Sequence, residues 1–169
     1  MTVELYKVAN AQTSLICEAM LNQLGSDGQV YNKIGLVLVL RDNTNKALKT
    51  LRYYLDVPAA KVLFHDLWES KLGGEYKGFK KVGGNKERTF QIAPNEGGGY
   101  HVSIMNSSDS GERDRLYFQL TRSSARQMAI CVLDYLRAHD LASAIAGLMR
   151  KEKEEKGGEK EGKEKEGEN

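Results

Sequence analysis

The side chains best placed to do chemistry in this 169-residue chain are lysines and arginines interleaved with aromatic rings. The run Tyr76-Lys77-Gly78-Phe79-Lys80-Lys81 continues through Lys86 and Arg88. Positions 71–90 hold six basic and two acidic residues, and positions 33–61 hold the same numbers. Each stretch is therefore locally about +4, whereas the whole chain has a formal net charge of only +2. Residues 150–169 contain seven basic and eight acidic side chains, so the positive excess lies in the body of the chain. Cations that track phosphates, beside aromatic faces on which bases stack at about 1–3 kcal/mol each, are what single-stranded nucleic-acid binding needs. The residues that fit are Lys33, Lys49, Arg52, Tyr54, Lys77, Phe79, Lys80, Lys81, Lys86, Arg88, His101 and Tyr117. The plainer alternative is a solvated sheet face, which carries polar residues and β-prone tyrosines without any ligand.

Other chemistries find little support. His65, His101 and His139 fall in three different elements, with no partner at metal-ligand or triad spacing. Gly83-Gly84 and Gly97-Gly98-Gly99 read as hairpin turns, because neither opens a helix after a strand and no Gly-Lys-Ser/Thr follows. Cys17 and Cys131 are far apart in apolar surroundings and read as buried thiols of a reducing compartment. The expectation is a protein that is not an enzyme and needs no cofactor and no metal. The N-terminus lacks a basic stretch followed by an apolar one, and the longest apolar run, Ile34 to Leu40, is too short to span a bilayer. A cytoplasmic protein with no membrane partner is expected.

The elements that must position the basic and aromatic residues follow from periodicity. Arg88 to Ala93, Tyr100 to Met105 and Arg115 to Leu120 alternate apolar and polar with period 2. That pattern predicts an antiparallel sheet with one face buried and the other wet. Phe90, Ile92, Tyr100, Val102, Ile104, Leu116, Phe118 and Leu120 should point inward; Thr89, Gln91, His101, Met105, Tyr117 and Gln119 should point out. Tyr76 to Val82 precedes them as a fourth strand, with turn-rich segments at Gly83-Gly84-Asn85, Pro94 to Gly99 and Asn106 to Gly111. Thr121 is a candidate N-cap for a helix carrying Ala125, Met128, Ala129, Val132, Leu133 and Leu136, expected to lie across that sheet. Asp140 is a candidate cap for a second helical piece.

The first half repeats the design. Lys33 to Arg41 and Thr50 to Leu55 read as strands. Asp56 caps a helix with Pro58 in its first turn, an apolar stripe of Val62, Leu63, Leu67 and Trp68, and a stop at Gly73-Gly74. Val3 to Val8 reads as a strand, and residues 10–30 leave a short helix and a bulged strand equally open. The joints Leu55-Asp56 and Leu120-Thr121 align, each followed by small residue, Ala, basic residue and Leu or Met. The fold class expected is α+β, antiparallel sheets each followed by an amphipathic helix, read as a ββββα-ββββα pseudo-duplication. Residues 1–150 form one domain of two related halves, about 1–74 and 75–150. Residues 151–169, which are Lys, Glu and Gly with a final Asn, form a disordered tail.

Four strands and a helix, twice over, resembles the fold shared by the Whirly, Pur and transcriptional-coactivator families. The resemblance covers roughly residues 1–148 and is carried by the strand–cap–helix joints at Leu55-Asp56 and Leu120-Thr121. The Lys-Gly-Lys-Ala-Ala-Leu signature of plant Whirly proteins is not present. The resemblance implies a single-stranded nucleic-acid partner, DNA before RNA, and a homo-oligomer. A protein-interaction or assembly module without nucleic-acid binding is the other function expected.

Overall fold

A computed structural model describes residues 2–24, 28–81, 86–107 and 113–165, the last fifteen by backbone alone. The element order is β1 (Val3–Ala9), β2 (Thr13–Leu24), β3 (Val30–Arg41), β4 (Ala47–Asp56), α1 (Val57–Glu69), β5 (Tyr76–Lys81), β6 (Glu87–Pro94), β7 (Tyr100–Ser107), β8 (Arg113–Leu120) and α2 (Arg122–Lys165). The strands form two four-stranded antiparallel meanders, β1-β2-β3-β4 and β5-β6-β7-β8. The ββββα-ββββα order read from the sequence is the order observed. The turn segments expected at 83–85 and 108–111 lie outside the described residues.

The open question over residues 10–30 resolves as a bulged strand. β2 pairs with β3 from Thr13↔Leu40 to Met20↔Lys33, slips, and resumes at Gln23↔Tyr31. Asn22 sits in the slip with φ 55°, a left-handed conformation that Asn tolerates better than most residues. The bulge breaks strict alternation, and that hides the strand from a period-2 reading.

The core is made where the apolar faces of the two sheets meet. Leu15, Cys17, Ile34, Leu36, Leu38, Leu51, Tyr53 and Leu55 of the first sheet are buried, as are all eight inward positions read on β6–β8. Tyr53 stacks on Phe90 across the sheets with centroids 5.5 Å apart. Val37 and Val39 are buried as well, so β3 is covered on both faces, which explains its near-continuous apolar run. Not every polar position on the second sheet is wet. Thr89 and Ser103 are buried, because their larger neighbours on adjacent strands and rungs cover them.

Both helices start directly after an edge strand, by different means. Thr121 caps α2: its Oγ1 accepts the Ser124 N–H at 3.1 Å, and its carbonyl accepts the Ala125 N–H. Asp56 occupies the cap position of α1 in extended backbone, but its side chain makes no cap hydrogen bond; Pro58 in the first turn fixes the backbone instead. The stripe of α1 that is buried is Ala60, Leu63, Phe64 and Leu67. Val62 and Trp68, expected in that stripe, are exposed. The helix ends at Ser70 in the left-handed conformation, its N–H and that of Lys71 closing on the carbonyls of Leu67 and Asp66, three residues before the expected glycine stop.

Compact units divide the chain at Met1–Leu133, which holds both sheets, α1 and the first turns of α2, and Asp134–Asn169, the rest of α2. Both sheets lie within the first of these units. In that body α2 buries Ala125, Met128, Ala129 and Val132, and Tyr6 of β1 donates a hydrogen bond to Gln127 at 3.3 Å. This hydrogen bond ties the helix to the first sheet. No new helix starts at Asp140: α2 is continuous, and its backbone is helical through Lys165, inside the segment expected to be disordered. Extending an existing helix needs no new nucleus, so Lys- and Glu-rich sequence can continue it despite Gly157, Gly158 and Gly162. Residues 166–169 lie outside the described ones.

Candidate nucleic-acid interface

The expected binding residues separate into two surfaces. Lys33, Tyr54, Lys80, Lys81 and Arg88 line one open groove of about 550 Å³, together with Met20 and Tyr31. β2, β3 and β4 of the first sheet supply one side, and β5 and β6 of the second supply the other. Four cations and two tyrosines therefore converge from four strands, although in sequence they span 58 positions from Tyr31 to Arg88. Arg52 lies on the face of β4 that carries Tyr54 and acts electrostatically on its phenol, as Arg88 does.

Registration explains the convergence. Met20, Lys33 and Asp56 form one rung across β2, β3 and β4, and Glu18, Gly35 and Tyr54 form the next rung on the same face. Gly35 is required there: a β-carbon would come within 2.7 Å of Glu18 Cγ and 2.9 Å of Tyr54 Cε1, so both side chains reach over its backbone. Gly78 of β5 does the same for Tyr53, whose hydroxyl would stand 2.5 Å from a β-carbon at that position. Lys80, two residues on, then places its ammonium 5.6 Å from the Tyr53 ring centroid, and Lys33 places its own 5.8 Å from the Tyr31 ring.

The groove's charges are partly withdrawn from water. Burial, and then the neighbouring Lys33, hold the Lys80 ammonium below its usual pKa. Lys33 is paired with Asp56 at 2.7 Å, and that hydrogen bond keeps the Asp56 carboxyl below the usual carboxylate range. Burial pushes the Tyr54 phenol up, with Glu18 adding to the effect. A groove whose cations are partly desolvated and close together is favourable to an anion, and phosphate is such an anion.

The second surface is the outer face of β5–β8. Lys77, Gln91, Ser103 and Tyr117 form one rung, and Phe79, Thr89, Met105 and Arg115 form the next. Phe79 is 52% and Tyr117 49% exposed. Tyr117 is flanked by His101, with ring centroids 5.3 Å apart, and by the Arg115 guanidinium at 4.7 Å. Arg115 also donates to Gln91 and Ser103, and His101 is hydrogen-bonded to Gln119, itself held by Asn95. These polar groups largely satisfy one another, as a solvated face does. Lys77, Phe79, His101 and Tyr117 thus lie apart from the groove. So does Lys49, whose ammonium is 2.5 Å from Asp114 in a bond between β4 and β8. Lys86 is exposed just before β6 and does not line the groove.

Sequence reasoning missed Met20, Tyr31, Glu18 and Arg115. Tyr31 precedes Lys33 by two residues, the spacing of one strand face, and starting the strand at Lys33 concealed it. Among the described residues no group of three or more His, Cys, Asp or Glu could hold a metal ion, and no helix is long and apolar enough to cross a membrane.

No family model matches this sequence, and no curated protein does. The fold does have solved counterparts. The chain is similar to WHY3 from Arabidopsis thaliana in its crystal structure, with a TM-score of 0.66 and 12% identity over 86% of this chain and 92% of that one. It is similar also to the plant transcriptional regulator PBF-2, with a TM-score of 0.65 and 10% identity over 85% and 93% of the two chains. At these identities the likeness is one of fold: the two sheets, each followed by a helix, are arranged as in the Whirly fold.

Proposed function

We propose that this is a cytoplasmic, non-enzymatic protein that binds single-stranded nucleic acid, DNA in preference to RNA, in the groove between its two sheets. The observation that carries the proposal is the convergence of Lys33, Lys80, Lys81 and Arg88 with Tyr31 and Tyr54 around one open groove. Cations spaced along such a groove can follow a phosphodiester backbone, and the two phenol rings give the bases faces to stack on. A duplex keeps its bases inside and offers none of those faces, so single strands should win. The resemblance of the fold to a plant transcriptional regulator supports the same reading. Titration of a fluorescently labelled 20-mer tests it: single strands should bind at low salt, weaken as salt rises, and outcompete duplex of the same sequence. Absence of single-strand binding at low salt would refute the proposal.

A specific observation also favours self-association, the assembly reading. Leu141, Ile145 and Leu148 recur at helical spacing on the later part of α2 and are 64%, 49% and 63% exposed, with Ala138, Ala142 and Ala144 beside them. Such a stripe is costly to leave in water and can be buried against a second copy of the same helix. Oligomer formation and nucleic-acid binding are compatible. Sedimentation of the full chain and of Leu141→Glu/Leu148→Glu separates them, since the variant should become smaller and still bind.

A further inference from the structure

One group beside the groove is unsuited to holding phosphate. Glu18 stands on the rung next to Met20 and Lys33, leaning over Gly35 toward Tyr54. Its carboxylate receives a long hydrogen bond of 3.4 Å from the Tyr54 hydroxyl. It is only partly buried, and its neighbour directly across on β1 is another acid, Glu4. A phosphodiester would be repelled from this position. A base stacked on Tyr54, however, would turn its polar edge toward it, and an ionised carboxylate can only accept hydrogen bonds. Cytosine and adenine present exocyclic amino donors. Thymine and uracil present one ring N–H flanked by two carbonyl oxygens, which would face the carboxylate.

Resting on the nucleic-acid reading above, we propose that Glu18 is a specificity-determining residue that selects amino-bearing bases over thymine or uracil at the Tyr54 position. The cations hold the strand irrespective of sequence; Glu18, on the fixed rung Glu18–Gly35–Tyr54, reads the base. Gly35 is what brings reader and stacking platform together, since any side chain there would push them apart.

The test compares labelled oligo(dC) and oligo(dT) of equal length at one low salt concentration, for the wild type and for Glu18→Gln. The wild type should bind oligo(dC) about fivefold more tightly, near the lower end of what one specific base contact gives. Glutamine has both an acceptor and donors, so Glu18→Gln should bring the dC/dT ratio close to one while binding both oligomers at least as tightly. Equal wild-type affinities overturn the proposal without the variant. So does a variant that shifts both affinities by the same factor, because Glu18 then acts only as a charge. Binding of neither oligomer by the wild type is a different result, which removes the nucleic-acid function itself.

Discussion

Lys33 and Asp56 are paired at 2.7 Å across neighbouring strands, joining the start of α1 to the wall of the groove. Asp56 stands where a helix cap belongs, yet its carboxylate serves a groove lysine and lies close enough to Lys80 to affect it. It is therefore an internal anion competing with any phosphate brought to those cations. Asp56→Asn is expected to raise affinity for a single strand a few-fold and to cost little stability, about 0.2–1 kcal/mol for an exposed pair. The pH dependence has a definite sign. The folded-state pKa of Asp56 is depressed, so the pair's contribution is present above the ordinary carboxylate value of about 3.9 and is lost as pH falls through the lower folded value. Urea midpoints of wild type and Asp56→Asn should differ at pH 7 and converge in acid.

The two helix starts should respond differently to loss of the cap side chain. Thr121→Ala removes a hydrogen bond to the Ser124 N–H and should cost about 1 kcal/mol. Asp56→Ala removes no cap bond. Denaturant titrations of the two variants should rank Thr121→Ala as the more destabilised, and the reverse order would contradict the capping geometry.

Gly78 and Tyr53 form a fitted contact between the sheets. Gly78→Ala should destabilise by about 1–3 kcal/mol through overpacking, and Tyr53→Phe should relieve part of that loss, since the hydroxyl is the nearest atom. A double-mutant cycle measures the coupling. The same burial pushes the Tyr53 phenol up to about 12. Because this folded value exceeds the unfolded one of about 10, stability present below pH 10 should drain away between the two. Phenolate absorbance should show a late-titrating tyrosine that Tyr53→Phe removes.

Much of this architecture is legible in the sequence because alternation at β6, β7 and β8 is strict and each helix start is marked. Thr121 reads correctly because an N-cap is a local interaction. Asp56 has the right residue type for a cap, but its partner Lys33 is 23 residues away, and nothing local announces that pairing. β2 escapes because the bulge at Asn22 breaks its period. The groove is only half legible. Charge clustering singles out Lys33, Lys80, Lys81 and Arg88, but composition cannot separate them from Lys49 or Lys77, which cross-strand register sends to an intersheet ion pair and to the outer face. Glu18 has no signal at all without the rung that sets it beside Tyr54.

The salt dependence of single-strand affinity, measured for the wild type, for Lys80→Ala/Arg88→Ala and for the outer-face variant Lys77→Ala/Tyr117→Ala, tests the central claim most directly. For the wild type, log affinity should fall linearly with log salt. The groove variant should bind more weakly, with a slope shallower by about 0.7 for each phosphate contact removed, and the outer-face variant should follow the wild type. Identical slopes for wild type and groove variant, or a loss confined to the outer-face variant, would contradict the assignment of the interface to the groove.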